Sequence, residues 1–183
     1  MRMSGFARRE QLVAVGRKTF ASKGFDGTSV EEIASQAKIS KPVIYEHFGG
    51  KEGLYAVIVD REVHALMSAL EAALDSSKRP RMILEDSALA LLTYIESNSD
   101  GFRILVRDAP QNSTSGSFSS LMGDIAIKVE HLLADQFSQA NMSPKWAPLY
   151  AQMLVGLIAQ VGQWWLDERR MSKEEVASHV VNL

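Results

Sequence analysis

The stretch Ile39–Tyr55, ISKPVIYEHFGGKEGLY, decides how this chain is read. Ser40, Lys41, Pro42, Tyr45, His47 and the pair Gly49-Gly50 crowd around two apolar anchors, Ile44 and Phe48. A segment that only filled a core would not carry so many polar and helix-awkward residues. Ser40 reads as an N-cap, and Pro42 falls in the first turn, where its missing N–H costs nothing. The two glycines end a helix of about eight residues. With Ile44 turned inward, Phe48 lies on the same side, and Pro42, Val43 and Glu46 form the outward ridge. Tyr45 and His47 flank that ridge. A short exposed helix with hydrogen-bonding aromatics on both flanks suits the major groove of duplex DNA, base edges at its front and phosphates beside it.

Working outward, apolar residues recur at spacings of three and four almost throughout, so the chain reads as all-α. A first helix spans about Ala7 to Lys23, with Leu12, Val15, Gly16 and Phe20 on its inner stripe and Gly24 as its stop. Phe25 is placed to touch Phe20. A second helix begins in TSVEEIA, capped by Thr28 with Glu31 or by Ser29 with Glu32. Lys38-Ile39 then makes the turn into the Ser40 helix. After Gly50, a long helix from Lys51 to about Ser76 spans roughly 40 Å. Further helices are expected from Pro80 to Asn98, Gly101 to Ala109, Phe118 to Ala140 and Pro144 to Arg170, and a ninth opens at Ser172. PQNSTSGS, residues 110–117, reads as a mobile polar loop. The stripe Val176, Val180, Leu183 runs to the last residue and is open to continuation.

The 183 residues carry no cysteine, which excludes disulfides and thiolate metal sites. The start, MRMSGFARREQ, lacks the apolar run of a signal peptide, so a cytoplasmic location is expected. The net charge of −2 conceals an asymmetry: nine Lys/Arg against five Asp/Glu in residues 1–51, and eleven against seventeen in the remainder. A basic front on an acidic body fits a polyanion partner at the front alone. Trp146 to Leu166 is uncharged and long enough to span a bilayer. Its three glutamines, Gln152, Gln160 and Gln163, share one side, so it is expected inside a bundle or dimer, with no membrane partner.

From about Arg8 to Tyr55 the chain resembles the DNA-binding domain of the TetR family of transcriptional regulators. The resemblance rests on Phe20, Gly24, Phe25, TSVEEIA, AKISKPVIYEHF and GGKEGLY. It implies a helix-turn-helix DNA-binding domain over residues 1–50 and an effector-binding and dimerisation domain over 51–183. It also implies a homodimer, a double-stranded DNA operator of pseudo-palindromic form and a small-molecule effector, most often with a repressor released by that effector. The expected DNA-facing set is Thr28, Ser29, Lys38, Ser40, Lys41, Pro42, Val43, Tyr45, Glu46, His47 and Lys51, with Tyr45 and Lys51 on phosphates. Lys38 departs from the glycine often found at that turn; a positive φ there costs about 1 kcal/mol.

The effector set is expected to be Tyr94, Phe102, Met122, Trp146, Tyr150, Met153 and Trp164, with Gln152 and His131 as polar handles for an apolar or aromatic compound. This places the aromatic face of the eighth helix inward and makes Ala151, Val155 and Gly162, together with the ninth helix, the dimer seam. Gly16 is expected to pack against the third helix, and Arg103 and Arg107 against the first. No cofactor or metal site and no catalytic set is read: the four histidines are scattered, and no HExxH, GxSxG, GxGxxG or P-loop occurs. The alternative is a helical ligand-binding or adaptor module that does not bind DNA.

Overall fold

The structure, a computed structural model, describes residues 3–107 and 118–183. Among these the regular structure is entirely helical: α1 (Gly5–Lys23), α2 (Val30–Ala37), α3 (Lys41–Phe48), α4 (Lys51–Ala73), α5 (Pro80–Ser97), α6 (Ser99–Val106), α7 (Phe118–Gln139), α8 (Ala147–Asp167) and α9 (Lys173–Val181). A short 3-10 turn, Pro144–Trp146, leads into α8. The expected polar loop, residues 110–117, lies outside the described residues.

Local chemistry sets the boundaries. The Ser4 hydroxyl accepts from the Ala7 N–H at 3.1 Å and caps α1. Gly24, at φ 76°, closes it. Ser29, rather than Thr28, caps α2, its hydroxyl accepting from the Glu32 N–H at 3.1 Å. Pro80 stands in the first turn of α5, and Ser172 with Glu175 forms a full capping box on α9.

The chain forms two compact units. The first runs to His64 and also takes in the α6 segment from Asp100; the second comprises Ala65–Ser99 and Phe118–Leu183. The division therefore falls inside α4 rather than ahead of it.

In the first unit Leu12, Phe20, Ile33, Ile44, Leu54, Ile58 and Phe102 are almost fully buried. Phe20 stacks on Phe25 at 6.1 Å, and both meet the Tyr55 ring edge-on at 5.0 Å. Burial raises the Tyr55 phenol above its usual pKa, against the opposing charge of Arg107. Gly16 packs against α4, not α3: a Cβ there would stand 2.9 Å from Leu54 Cδ2 and 3.1 Å from Ile58 Cδ1. The sequence stripe marks this position as interior but cannot say which helix covers it. The α6 segment belongs to this unit for two reasons. The Arg107 guanidinium donates to the Phe20 carbonyl at 3.2 Å. Gly101 lies directly over the Arg17–Glu62 ion pair, which closes at 2.6 Å. A Cβ on Gly101 would reach 1.9 Å from Glu62 Oε2, so any larger residue must displace that carboxylate.

The second unit packs α5, α7, α8 and α9 with the end of α4. Small residues bring α8 close to α5: a Cβ on Gly162 would stand 2.8 Å from Leu91 Cδ2 and 3.0 Å from Ile95 Cδ1. Ala151 is buried as well. The stripe expected to form a dimer seam is thus an internal contact. The aromatic side expected inside is the exposed one, with Trp146, Tyr150, Met153 and Trp164 each more than 40% exposed. A helical wheel separates two apolar faces without telling which one α5 and α7 will cover. No described helix is long and apolar enough to cross a membrane.

Candidate DNA interface and ligand cavity

In the first unit, α2 and α3 form a helix-turn-helix held by its own backbone. Lys38, the α2 C-cap, sits at φ 55°, ψ 48°, in the left-handed region. Its N–H returns to Ser35 O at 3.1 Å, and the Ile39 N–H to Ala34 O at 3.0 Å. The Gln11 amide donates to the Ala37 carbonyl at 3.2 Å. Arg9 lies 4.3 Å over the Phe48 ring and donates to the His47 carbonyl at 2.6 Å, tying α1 to the end of α3. This engages Arg9 inside the unit.

Ile44 is the one fully buried residue of α3. Lys41, Pro42, Tyr45 and Glu46 are exposed, with Val43 and His47 half-buried beside them. Ser40 is the N-cap, yet its hydroxyl makes no capping bond. Lys38, Ser40, Tyr45 and His47 therefore offer donors on the α2–α3 edge, while Lys41 is held by the carboxylate of Glu31. That same bond holds the Glu31 carboxyl below its usual pKa.

Two expected members of this surface are placed differently. Thr28 is buried, and its hydroxyl donates to the Gly24 carbonyl at 2.7 Å. The neighbouring Ser29 takes the cap, so Thr28 leaves the exposed set. The Lys51 ammonium donates to the carbonyls of Phe25 at 3.0 Å and Thr28 at 3.1 Å, and lies 4.1 Å over the Phe25 ring. It clamps the α1–α2 connection from the start of α4.

In the second unit a cavity opens between the end of α4, α5, α7 and α8. It has about 760 Å³ of space free of protein atoms, its mouth included. Leu70, Leu84, Leu91, Met122, Ile125, Val129, Leu133, Leu154, Val155 and Ile158 line it, with Ser87 and Gln136 as its polar side chains. Of the expected effector set only Met122 lies on this wall. Tyr94 is buried beside a separate groove between α4 and α5. Phe102 belongs to the core of the first unit. His131 and Gln152 are exposed, as are Trp146, Tyr150, Met153 and Trp164. The expected set is mostly aromatic. The wall instead uses branched aliphatics, which are indistinguishable in sequence from ordinary core. The available signal was Ser87, a lone hydroxyl between Leu84 and Leu91 on an apolar stripe.

Residues 12–58 match the family model described as bacterial regulatory proteins, tetR family. Residues 69–183 match the one described as tetracyclin repressor-like, C-terminal domain. The chain belongs to the TetR family. The TetR-family helix-turn-helix is therefore the α2–α3 pair just described. Among curated relatives, the HTH-type transcriptional activator FasR of Mycolicibacterium smegmatis is 35% identical over 98 residues, covering 54% of this chain and 45% of that protein. The match thus spans less than half of that relative. A TetR-like transcriptional regulator from Rhodococcus sp. RHA1 aligns over 99% of this chain and 95% of its own, with TM-score 0.82 and 26% identity. The structure of AibR, in complex with isovaleryl coenzyme A and operator DNA, shares the fold at TM-score 0.77 and 18% identity, over 96% of both chains. As a TetR-family member the chain is a DNA-binding transcriptional regulator.

Proposed function

We propose that the chain binds a pseudo-palindromic DNA site as a homodimer and leaves it when an apolar effector fills the cavity of the second unit. The observation that carries the DNA reading is α3 itself. Ile44 is its one fully buried residue, while Tyr45, His47 and the uncapped Ser40 hydroxyl present polar groups outward. In this reading Pro42 and Val43 meet base edges, and Lys38, Ser40, Tyr45 and His47 meet phosphates. Lys41 exchanges Glu31 for a phosphate on binding. Lys51 acts chiefly on the DNA-facing surface by fixing the α1–α2 connection.

The dimer reading rests on α8. Leu149, Met153 and Trp164 are exposed on one side, together with Gly156, which has no neighbour within 4 Å of a would-be Cβ. An uncharged helix face of this kind, with a small residue at its centre, suits close approach by a second copy. The effector reading rests on the apolar cavity. It is supported by AibR, whose structure holds both a small molecule and operator DNA. Coupling between the two sites is assigned to α4, which runs for several turns through each unit. Repression relieved by the effector is the mode proposed. The named relative is an activator, and activation follows from the same protein chemistry when the operator lies upstream of a promoter rather than across it.

The test is DNA binding as a function of salt. If each protomer neutralises about four or five phosphates, log K falls against log[salt] with a slope of about −7 to −9. Val43→Ala changes the preference at one base pair per half-site by about 1 kcal/mol or more. A slope near zero, or specificity untouched by Val43→Ala, refutes the assignment of α3 as the reading helix.

A further inference from the structure

The cavity of the second unit says more about its ligand than that it is apolar, provided the effector reading above holds. Among the described residues, no Lys, Arg, His, Asp or Glu lines it, and no aromatic ring does. The polar side chains on its wall are both neutral, Ser87 and Gln136.

Ser87 is the unusual one. It sits in the middle of α5, only 8% exposed, and its Oγ is buried without a hydrogen-bond partner. A serine or threonine hydroxyl inside a helix ordinarily returns to the carbonyl four residues back. In this chain Thr19 does so to Val15 at 2.9 Å, and Ser138 to Ala134 at 2.8 Å. Ser87 does not, and it faces the cavity instead. A buried hydroxyl left unpaired lowers stability, and a polar ligand atom that reaches it removes that loss.

Charge decides the rest. A carboxylate carried into this space would meet no cation on the wall, and an ionised group buried without a partner is strongly disfavoured. A neutral carbonyl meets no such barrier and accepts from the Ser87 O–H. Apart from Ser87, Gln136 and the Met122 thioether, the described wall is aliphatic, which fits a flexible hydrocarbon chain better than a flat ring system that would gain from stacking. We infer that the cavity takes the hydrocarbon chain of a neutral acyl derivative, an ester, thioester or amide, with its carbonyl oxygen on Ser87 Oγ, and that it discriminates against the free carboxylate.

Isothermal titration of the full chain with methyl octanoate and with octanoate at pH 7.5 tests this. The ester binds at least about tenfold more tightly than the carboxylate. Ser87→Ala weakens the ester by about tenfold, the range of one hydrogen bond, while leaving the weak binding of octanoate unchanged. Ala159→Phe, which fills the cavity from α8, abolishes binding of the ester.

Equal affinity for ester and carboxylate overturns the inference, because the head group then lies outside the cavity. Ester binding that Ser87→Ala does not alter overturns the Ser87 assignment while the cavity remains the site. Ester binding that survives Ala159→Phe, or no binding by the unaltered chain, removes the effector reading itself. The helix-turn-helix assignment stands apart from all three outcomes, since its test is the salt dependence of DNA binding.

Discussion

Replacing Lys38 separates stability from DNA binding, because the two are expected to move in opposite directions. Lys38 holds φ 55° at the α2 C-cap, one of two non-glycine residues with positive φ among those described. The left-handed conformation costs an L-residue about 1–2 kcal/mol. Lys38→Gly removes that strain but loosens the unfolded chain, which returns about 0.5–1 kcal/mol. The net gain is about 0.5–1 kcal/mol, or ~1–4 °C in Tm for a chain of this size. Lys38→Asn gives a similar gain by another route, since asparagine tolerates this conformation without glycine's freedom in the unfolded state. Both variants remove one charge per protomer. A dimer that used both lysines on phosphates loses two contacts, so the salt slope becomes shallower by about two. Urea unfolding and DNA titration over a salt series read the two effects separately. Variants no more stable than the parent refute the strain argument. More stable variants with an unchanged salt slope refute the phosphate contact.

Three further outcomes are expected. Gly101→Ala forces a methyl into the Arg17–Glu62 pair and destabilises the first unit by about 1–3 kcal/mol, seen as a lower urea midpoint with weakened DNA binding; a neutral result refutes the close fit of α6. Met153→Glu or Gly156→Glu yields a folded monomer in sedimentation, whereas Gly162→Glu fails to fold because it faces Leu91 and Ile95; dimers that survive the first two move the interface off this side of α8. Acid lowers stability through carboxyls whose pKa values are depressed in the fold, among them Glu10 bonded to Arg61, Glu31 to Lys41, and Glu175 to the Ser172 N–H. Their contribution is complete above the unfolded value of about 4.5 and is lost as pH falls below it, so a urea midpoint that is flat from pH 6 to pH 3 contradicts these pairings.

The helices were legible because their ends carry local chemistry. Gly24, Gly49, Pro80 and Ser172 act within three or four residues of themselves, and a sequence shows that range directly; the Ser4 cap, three residues ahead of the expected start of α1, was not read, and Thr28 and Ser29 were equal candidates for the α2 cap. The α3 surface was legible for a related reason, since Ile44 alone fixes which side is inward. Side chains engaged by distant backbone were not. Lys51 binds carbonyls 23 and 26 residues away, and Arg9 one 38 residues away, so neither assignment follows from helical position. The cavity was the least legible part. Its wall draws on four helices, and leucines that line a space look the same as leucines that fill one. The two faces of α8 were separated correctly and then assigned to the wrong sides, because small residues serve any close helix contact, within a chain or between chains.

The membership of α6 has a consequence for how this protein can be cut, grafted or made. Its residues are separated from the rest of the first unit by the segment Ala65–Ser99, which holds all of α5. A fragment stopped at His64 would contain the whole helix-turn-helix yet leave Glu62 and Arg17 without the glycine that covers them, and Phe20 without the guanidinium on its carbonyl. On the ribosome, the DNA-reading end therefore stays unfinished until well into the second unit. A transplanted operator-binding module from this chain would need residues 99–107 rejoined to residues 3–64 by a designed linker, since a simple truncation cannot supply them.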